Sequence, residues 1–102
     1  MMKMYHITAS WNVASILKLG LLISRAKWGK YIYLTTNVRK CLKIYPVLPK
    51  SMLSIFQVNN IDKNRLMKDP LHPDLFTTIG YAYSENIPAK DLYLIYLKGE
   101  YL

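Results

Sequence analysis

At 102 residues the chain can build one hydrophobic core but not two, and 52% hydrophobic against 20% charged residues excludes a disordered segment. Its single cysteine, Cys41, excludes an intrachain disulfide and a zinc site built on several thiolates, and no apolar run approaches the roughly 18 residues of a membrane helix. Fourteen Lys and Arg against six Asp and Glu leave a net charge of +8, a field that attracts polyanions such as a nucleic acid, a dinucleotide or an acidic protein surface. These features lead us to expect a single domain over residues 1–102, soluble in a reducing cytoplasm, with no membrane association. The plainer use of the charge is to keep a tyrosine-rich surface soluble.

Residues 4–8, Met-Tyr-His-Ile-Thr, alternate as a strand, with Tyr5 and Ile7 on one face and His6 and Thr8 on the other. Ser10 or Asn12 is placed to cap a helix whose apolar positions Val13, Ile16 and Leu17 fall at helical spacing, and Gly20 is placed to stop it. Leu21 to Ile23 returns to the core, and Ser24 to Lys30 reads as a basic loop carrying Arg25, Lys27 and Trp28. Tyr31 to Thr36 is aromatic and β-branched, a second strand. Asn37 then caps a short helix with Val38, Cys41, Leu42 and Tyr45 on one face, ended by Pro46. Met52 to Val58 reads as a third strand, Lys63 to Lys68 as a helical or irregular stretch, and Asp69 to Asp74, with two prolines, as a loop. The last third is strand-like: Phe76 to Tyr83, a break at Asn86-Ile87-Pro88, then Leu92 to Leu97, apolar on both faces and expected at the sheet centre. Early helices and late strands predict an α+β fold, a compact, mainly antiparallel split β-sheet with two short helices near the N-terminus.

Taken singly, the chemically capable residues have plain readings. A strand histidine such as His6 is more often a half-buried imidazole bonded to a backbone carbonyl, and Glu85, at the end of a strand, a solvated carboxylate. His72, between prolines, reads as a solvated loop residue, and Trp28 as a residue closing the core. The order of the residues carries more. Tyr5-His6-Ile7-Thr8, then Ile16-Leu17-Lys18-Leu19-Gly20-Leu21, then Tyr31-Ile32-Tyr33-Leu34-Thr35-Thr36, and a late Glu85 before Ile87-Pro88-Ala89-Lys90 resemble the ADP-ribosyltransferase fold. The resemblance is to the branch holding DNA-targeting ADP-ribosyltransferase toxins and tRNA 2′-phosphotransferases, and it is strongest up to residue 36.

That resemblance implies NAD as substrate, bound without a metal. It implies His6 on the adenosine-side ribose with Thr8 beside it among the NAD-binding residues, Tyr33 or Tyr31 against the nicotinamide, and Glu85 as the catalytic carboxylate, with His6 and Tyr33 completing the catalytic set. Arg25, in the loop before the second strand, is a candidate for the pyrophosphate because a guanidinium fork matches phosphate oxygens. The chemistry suits the residue types: breaking the nicotinamide–ribose bond develops positive charge on the ribose, which a carboxylate stabilises more in the transition state than in the ground state. The acceptor would be a nucleic acid or an acidic protein, and a small basic transferase of this kind would suit a toxin or a phage-encoded factor. An RNA 2′-phosphotransferase ranks below this, because beyond His6 and Arg25 no basic set for a 2′-phosphate is matched, Arg39 and Arg65 being merely available. The alternative class is a catalytically inactive module that binds a nucleotide or nucleic acid on the same fold, or masks a partner's acidic site.

Overall fold

In the computed structural model the described residues are 3–25, 31–44, 48–68 and 80–102. Lys27 and Trp28 of the basic loop, the helix stop at Pro46, His72 in its proline loop and the Phe76 to Ile79 part of an expected strand lie outside them. The order is β1 (Met4–Ala9), α1 (Val13–Leu19), β2 (Ile32–Thr35), α2 (Val38–Ile44), β3 (Leu53–Val58), β4 (Leu66–Lys68), β5 (Gly80–Tyr83), β6 (Leu92–Leu97) and β7 (Glu100–Tyr101). Among the described residues the seven strands form one antiparallel sheet in the order β4-β5-β2-β1-β3-β6-β7.

Period-two alternation gives the sheet two apolar faces, and each takes one helix. Met4, Ile32, Leu34, Phe56, Val58, Tyr83 and Leu92 form the larger core, closed by Val13 and Ile16 of α1 and by Leu21 and Ile87. Leu53, Ile55 and Tyr96 form the smaller one on the other face, with Tyr5 and Ile7 of β1 and Val38 and Leu42 of α2 packed against it. Phe56, Met4 and Ile55 are the large side chains most fully shielded from water.

The sheet is joined unevenly. Six residue pairs register β1 with β3 and four register β2 with β5, whereas β1 meets β2 in one pair, Tyr5 with Thr35. The expected split is not present as a break: the seven strands form one continuous sheet, whose sparsest join is a seam between β1 and β2.

Several local expectations are met for the reasons anticipated. Asn37 caps α2 through its side-chain oxygen, which accepts from the backbone N–H of Lys40 at 3.0 Å. Gly20 ends α1 at φ +78°, and its N–H bonds the Ile16 carbonyl at 2.8 Å.

Others are corrected. Neither Ser10 nor Asn12 caps α1: a 3-10 turn, Ser10–Asn12, precedes the helix, and both side chains are engaged elsewhere, Ser10 with the Ser54 hydroxyl and Asn12 with that of Thr8. Leu17 is 52% exposed because the buried stripe of α1 runs through Val13, Ile16 and Gly20, leaving it on the flank. Lys63 to Lys68 is a 3-10 turn at Lys63–Arg65 followed by edge strand β4. β6 is not central: Lys98 and Gly99, both at positive φ, form a two-residue hairpin turn that adds β7 outside it.

Candidate functional site

The seam between β1 and β2 is where the first of the expected site residues sits. Pairing with Phe56 puts His6 on the face of the larger core, and Thr8 follows on the same face by alternation. The His6 ring donates from Nδ1 to the Tyr33 carbonyl across the seam at 2.9 Å. A carbonyl only accepts, so the proton is on Nδ1 and Nε2 keeps its lone pair. Burial of the ring lowers its pKa from 6.5, with the carbonyl bond opposing, and a neutral imidazole at pH 7 follows. The plain reading of His6 is thus met in full, and the same bond fixes the tautomer that would accept from a ribose hydroxyl at Nε2.

This environment has a measurable consequence. Because the folded pKa lies below the unfolded one, the unfolded chain binds the proton more readily, and stability falls as the pH drops through 6.5 toward the folded value. Thermal melts between pH 7.5 and 5.5 should show a falling midpoint in the native protein and a flatter profile in His6→Asn. Parallel slopes would remove the burial argument.

The other residues sort by face. Thr8 Oγ1 accepts from Asn12 Nδ2 at 3.2 Å, tying the end of β1 to the turn before α1. Ile32 and Leu34 point into the larger core, so Tyr31 and Tyr33 alternate onto the opposite face from His6. What Tyr33 offers His6 is its main-chain carbonyl. Arg25 closes a 3-10 turn, Ile23–Arg25, and donates from Nη1 to Ser15 Oγ at 2.6 Å, which holds the guanidinium beside α1.

Glu85 lies just past the end of β5. Since β5 runs antiparallel to β2, and β2 to β1, this is the end of the sheet that also holds the start of β2 and the end of β1. The chain then crosses the larger core: Ile87 is buried there and pairs with Leu21, each N–H donating to the other's carbonyl at 2.9 Å. Asn86 Oδ1 accepts from the Ile23 N–H at 2.8 Å. Two segments at least 63 residues apart in sequence, Gly20 to Ile23 and Asn86 to Ala89, are thereby clasped. Gly20 is required at the joint, because a Cβ there would lie 2.3 Å from the Ile87 carbonyl oxygen.

The Glu85 carboxylate itself is paired with Arg65 Nη1, and Arg65 Nε also lies 3.3 Å from Asp62 Oδ2. Arg65 stands at the head of β4, on the far side of β5 from β2 and β1. The pair draws Glu85 toward that edge, and no hydrogen bond or ion pair among the described residues joins it to His6. Arg65 had no motif to mark it; the only trace is the Asp62-x-x-Arg65 spacing, which permits an i,i+3 pair.

A scan against models of known protein families finds no match, and neither does a search of curated proteins. No described helix is long and apolar enough to cross a membrane.

Proposed function

We propose that the protein transfers ADP-ribose from NAD to a macromolecular acceptor, a nucleic acid or an acidic protein. The observation that carries the reading is the clasp: Gly20-Leu21 and Asn86-Ile87, two motifs of the resemblance far apart in sequence, are bonded to each other on the sheet face that carries His6. It gives Glu85 a fixed base at the end of the sheet where the β1–β2 seam ends. In the reaction the bond between ribose C1′ and the nicotinamide nitrogen breaks, its electron pair leaves with neutral nicotinamide, and a nucleophile on the acceptor bonds to C1′ and loses a proton. Glu85 would hold the ribose 2′-hydroxyl and balance the positive charge that develops. His6 Nε2 would accept from a hydroxyl of the adenosine ribose, Arg25 would bind the pyrophosphate, and Thr8 would steady the end of β1. The tyrosine role moves to whichever ring the bound dinucleotide meets, since Tyr31 and Tyr33 lie across the sheet from His6.

The deciding experiment is release of nicotinamide from NAD by the purified protein, with and without cell lysate as a source of acceptors. Release that depends on Glu85 supports the reading, and its absence under all conditions overturns it. The ion pair that draws Glu85 toward β4 favours the second reading, a nucleotide-binding module without turnover. Calorimetry would then show binding of NAD or ADP-ribose with no nicotinamide released.

A further inference from the structure

The ion pair between Arg65 and Glu85 is the feature that the proposed chemistry leaves unexplained. A carboxylate that must stabilise a cationic sugar is weakened by a guanidinium bonded to it, because the neighbouring positive charge offsets the charge it would use. Both side chains are about half exposed, 47% each, so the pair is bathed in solvent and exchanges its partner easily. The main chain beneath is pinned: the Arg65 N–H bonds the Asp62 carbonyl at 3.0 Å, and the Arg65 carbonyl accepts from the Ser84 N–H at 3.2 Å and from Ser84 Oγ at 3.3 Å. A change of partner at Arg65 therefore needs only its side chain to move. Lys63 is exposed in the same turn, and Asp62 already pairs with Arg65 Nε, so the guanidinium keeps one carboxylate when Glu85 leaves.

We propose that Arg65 is a phosphate-responsive lock on Glu85. In the free chain the guanidinium holds the carboxylate toward the β4 edge; a phosphate group arriving at the Lys63–Arg65 turn takes the guanidinium, for which its charge is the better match, and leaves Glu85 free to act on the bound ribose. The phosphate has two sources to distinguish, the pyrophosphate of NAD, which would then lie at Arg65 instead of Arg25, and the phosphates of a nucleic-acid acceptor. In the second case NAD would be cleaved chiefly when the acceptor is in place. The lock is a positioning device, and its effect on rate rests on the reading of Glu85 as the catalytic carboxylate.

The chain has only two glutamates, Glu85 and Glu100, so labelling glutamate at the side-chain carboxyl with carbon-13 gives two resonances, assigned with Glu85→Gln. Inorganic tripolyphosphate should shift the Glu85 resonance and leave that of Glu100 in place. In Arg65→Ala the Glu85 resonance should already be displaced and should not respond, and Arg65→Lys, which keeps the charge without the fork, should respond weakly. ADP-ribose and a short single-stranded oligonucleotide, added separately, distinguish the two sources. Nicotinamide release by Arg65→Ala without acceptor should exceed that of the native protein by up to about fivefold, the ceiling for a solvent-exposed pair, and should be indifferent to tripolyphosphate. A Glu85 resonance that no phosphate probe moves overturns the lock, as does slower release by Arg65→Ala. A shifted resonance with no nicotinamide released by any form upholds the lock and overturns the catalytic reading of Glu85.

Discussion

Exchange of Glu85 for glutamine should lower the rate of nicotinamide release from NAD by roughly 100- to 1,000-fold, the loss typical of removing one preorganised group that acts on transition-state charge. Glutamine keeps the shape of the side chain and one acceptor oxygen for a ribose hydroxyl, so NAD should still bind and KM should change little. What disappears is the negative charge, which matters only as the bond to nicotinamide stretches. The variant should fold normally, because the carboxylate is about half exposed and its pair with Arg65 contributes at most about 1 kcal/mol. Glu100→Gln, at the exposed β7 end, serves as the control and should match the native protein. An equal rate in Glu85→Gln and native protein would exclude the carboxylate from the chemistry.

Alanine at Gly20 should destabilise the fold by roughly 2–4 kcal/mol, read as a drop in the thermal midpoint of about 10 °C or more for a domain of this size. Two costs add. At φ +78° a residue with a Cβ is strained, and the added carbon would sit 2.3 Å from the Ile87 carbonyl oxygen and 2.9 Å from the Ala89 nitrogen. These are backbone atoms, so relief requires the Leu21–Ile87 pair to part, and its two hydrogen bonds go with it. Because that clasp sets the base of Glu85, the variant should also lose turnover beyond its loss of folded fraction, measurable well below its melting temperature. A midpoint within a degree or two of the native protein would mean that the clasp is not tight.

The paired segments also show how much of the candidate site a linear reading can reach. Gly20 was legible as a helix stop because a positive φ is a local property of the chain. That the same glycine must also admit the Ile87 carbonyl is a contact across more than 60 residues, and nothing near Gly20 announces it. His6 was legible as a strand residue bonded to a carbonyl, but which carbonyl depends on the seam between β1 and β2. The strand at Tyr31 to Thr36 was legible from its aromatic and β-branched residues, yet the side of the sheet its tyrosines occupy is fixed only by which neighbours are buried, here Ile32 and Leu34. Lys63 to Lys68 resisted reading because a three-residue edge strand is too short for its alternation to register, and it exists because β5 offers it a free edge.

Composition and periodicity alone determined the basic character of the chain, its α+β class, its two helices and the strands β1, β2, β3 and β6, all of which depend on local conformation and on the spacing of apolar residues, whereas the choice of site residues came only as what the resemblance implies. Tertiary structure decided the strand order, the seam, the facing of Tyr31 and Tyr33 away from His6, the clasp beneath Glu85, and the pairing of that carboxylate with Arg65. Each of these is a meeting of residues distant in sequence, set by which surfaces bury best together, and such meetings leave no periodic mark in the chain itself.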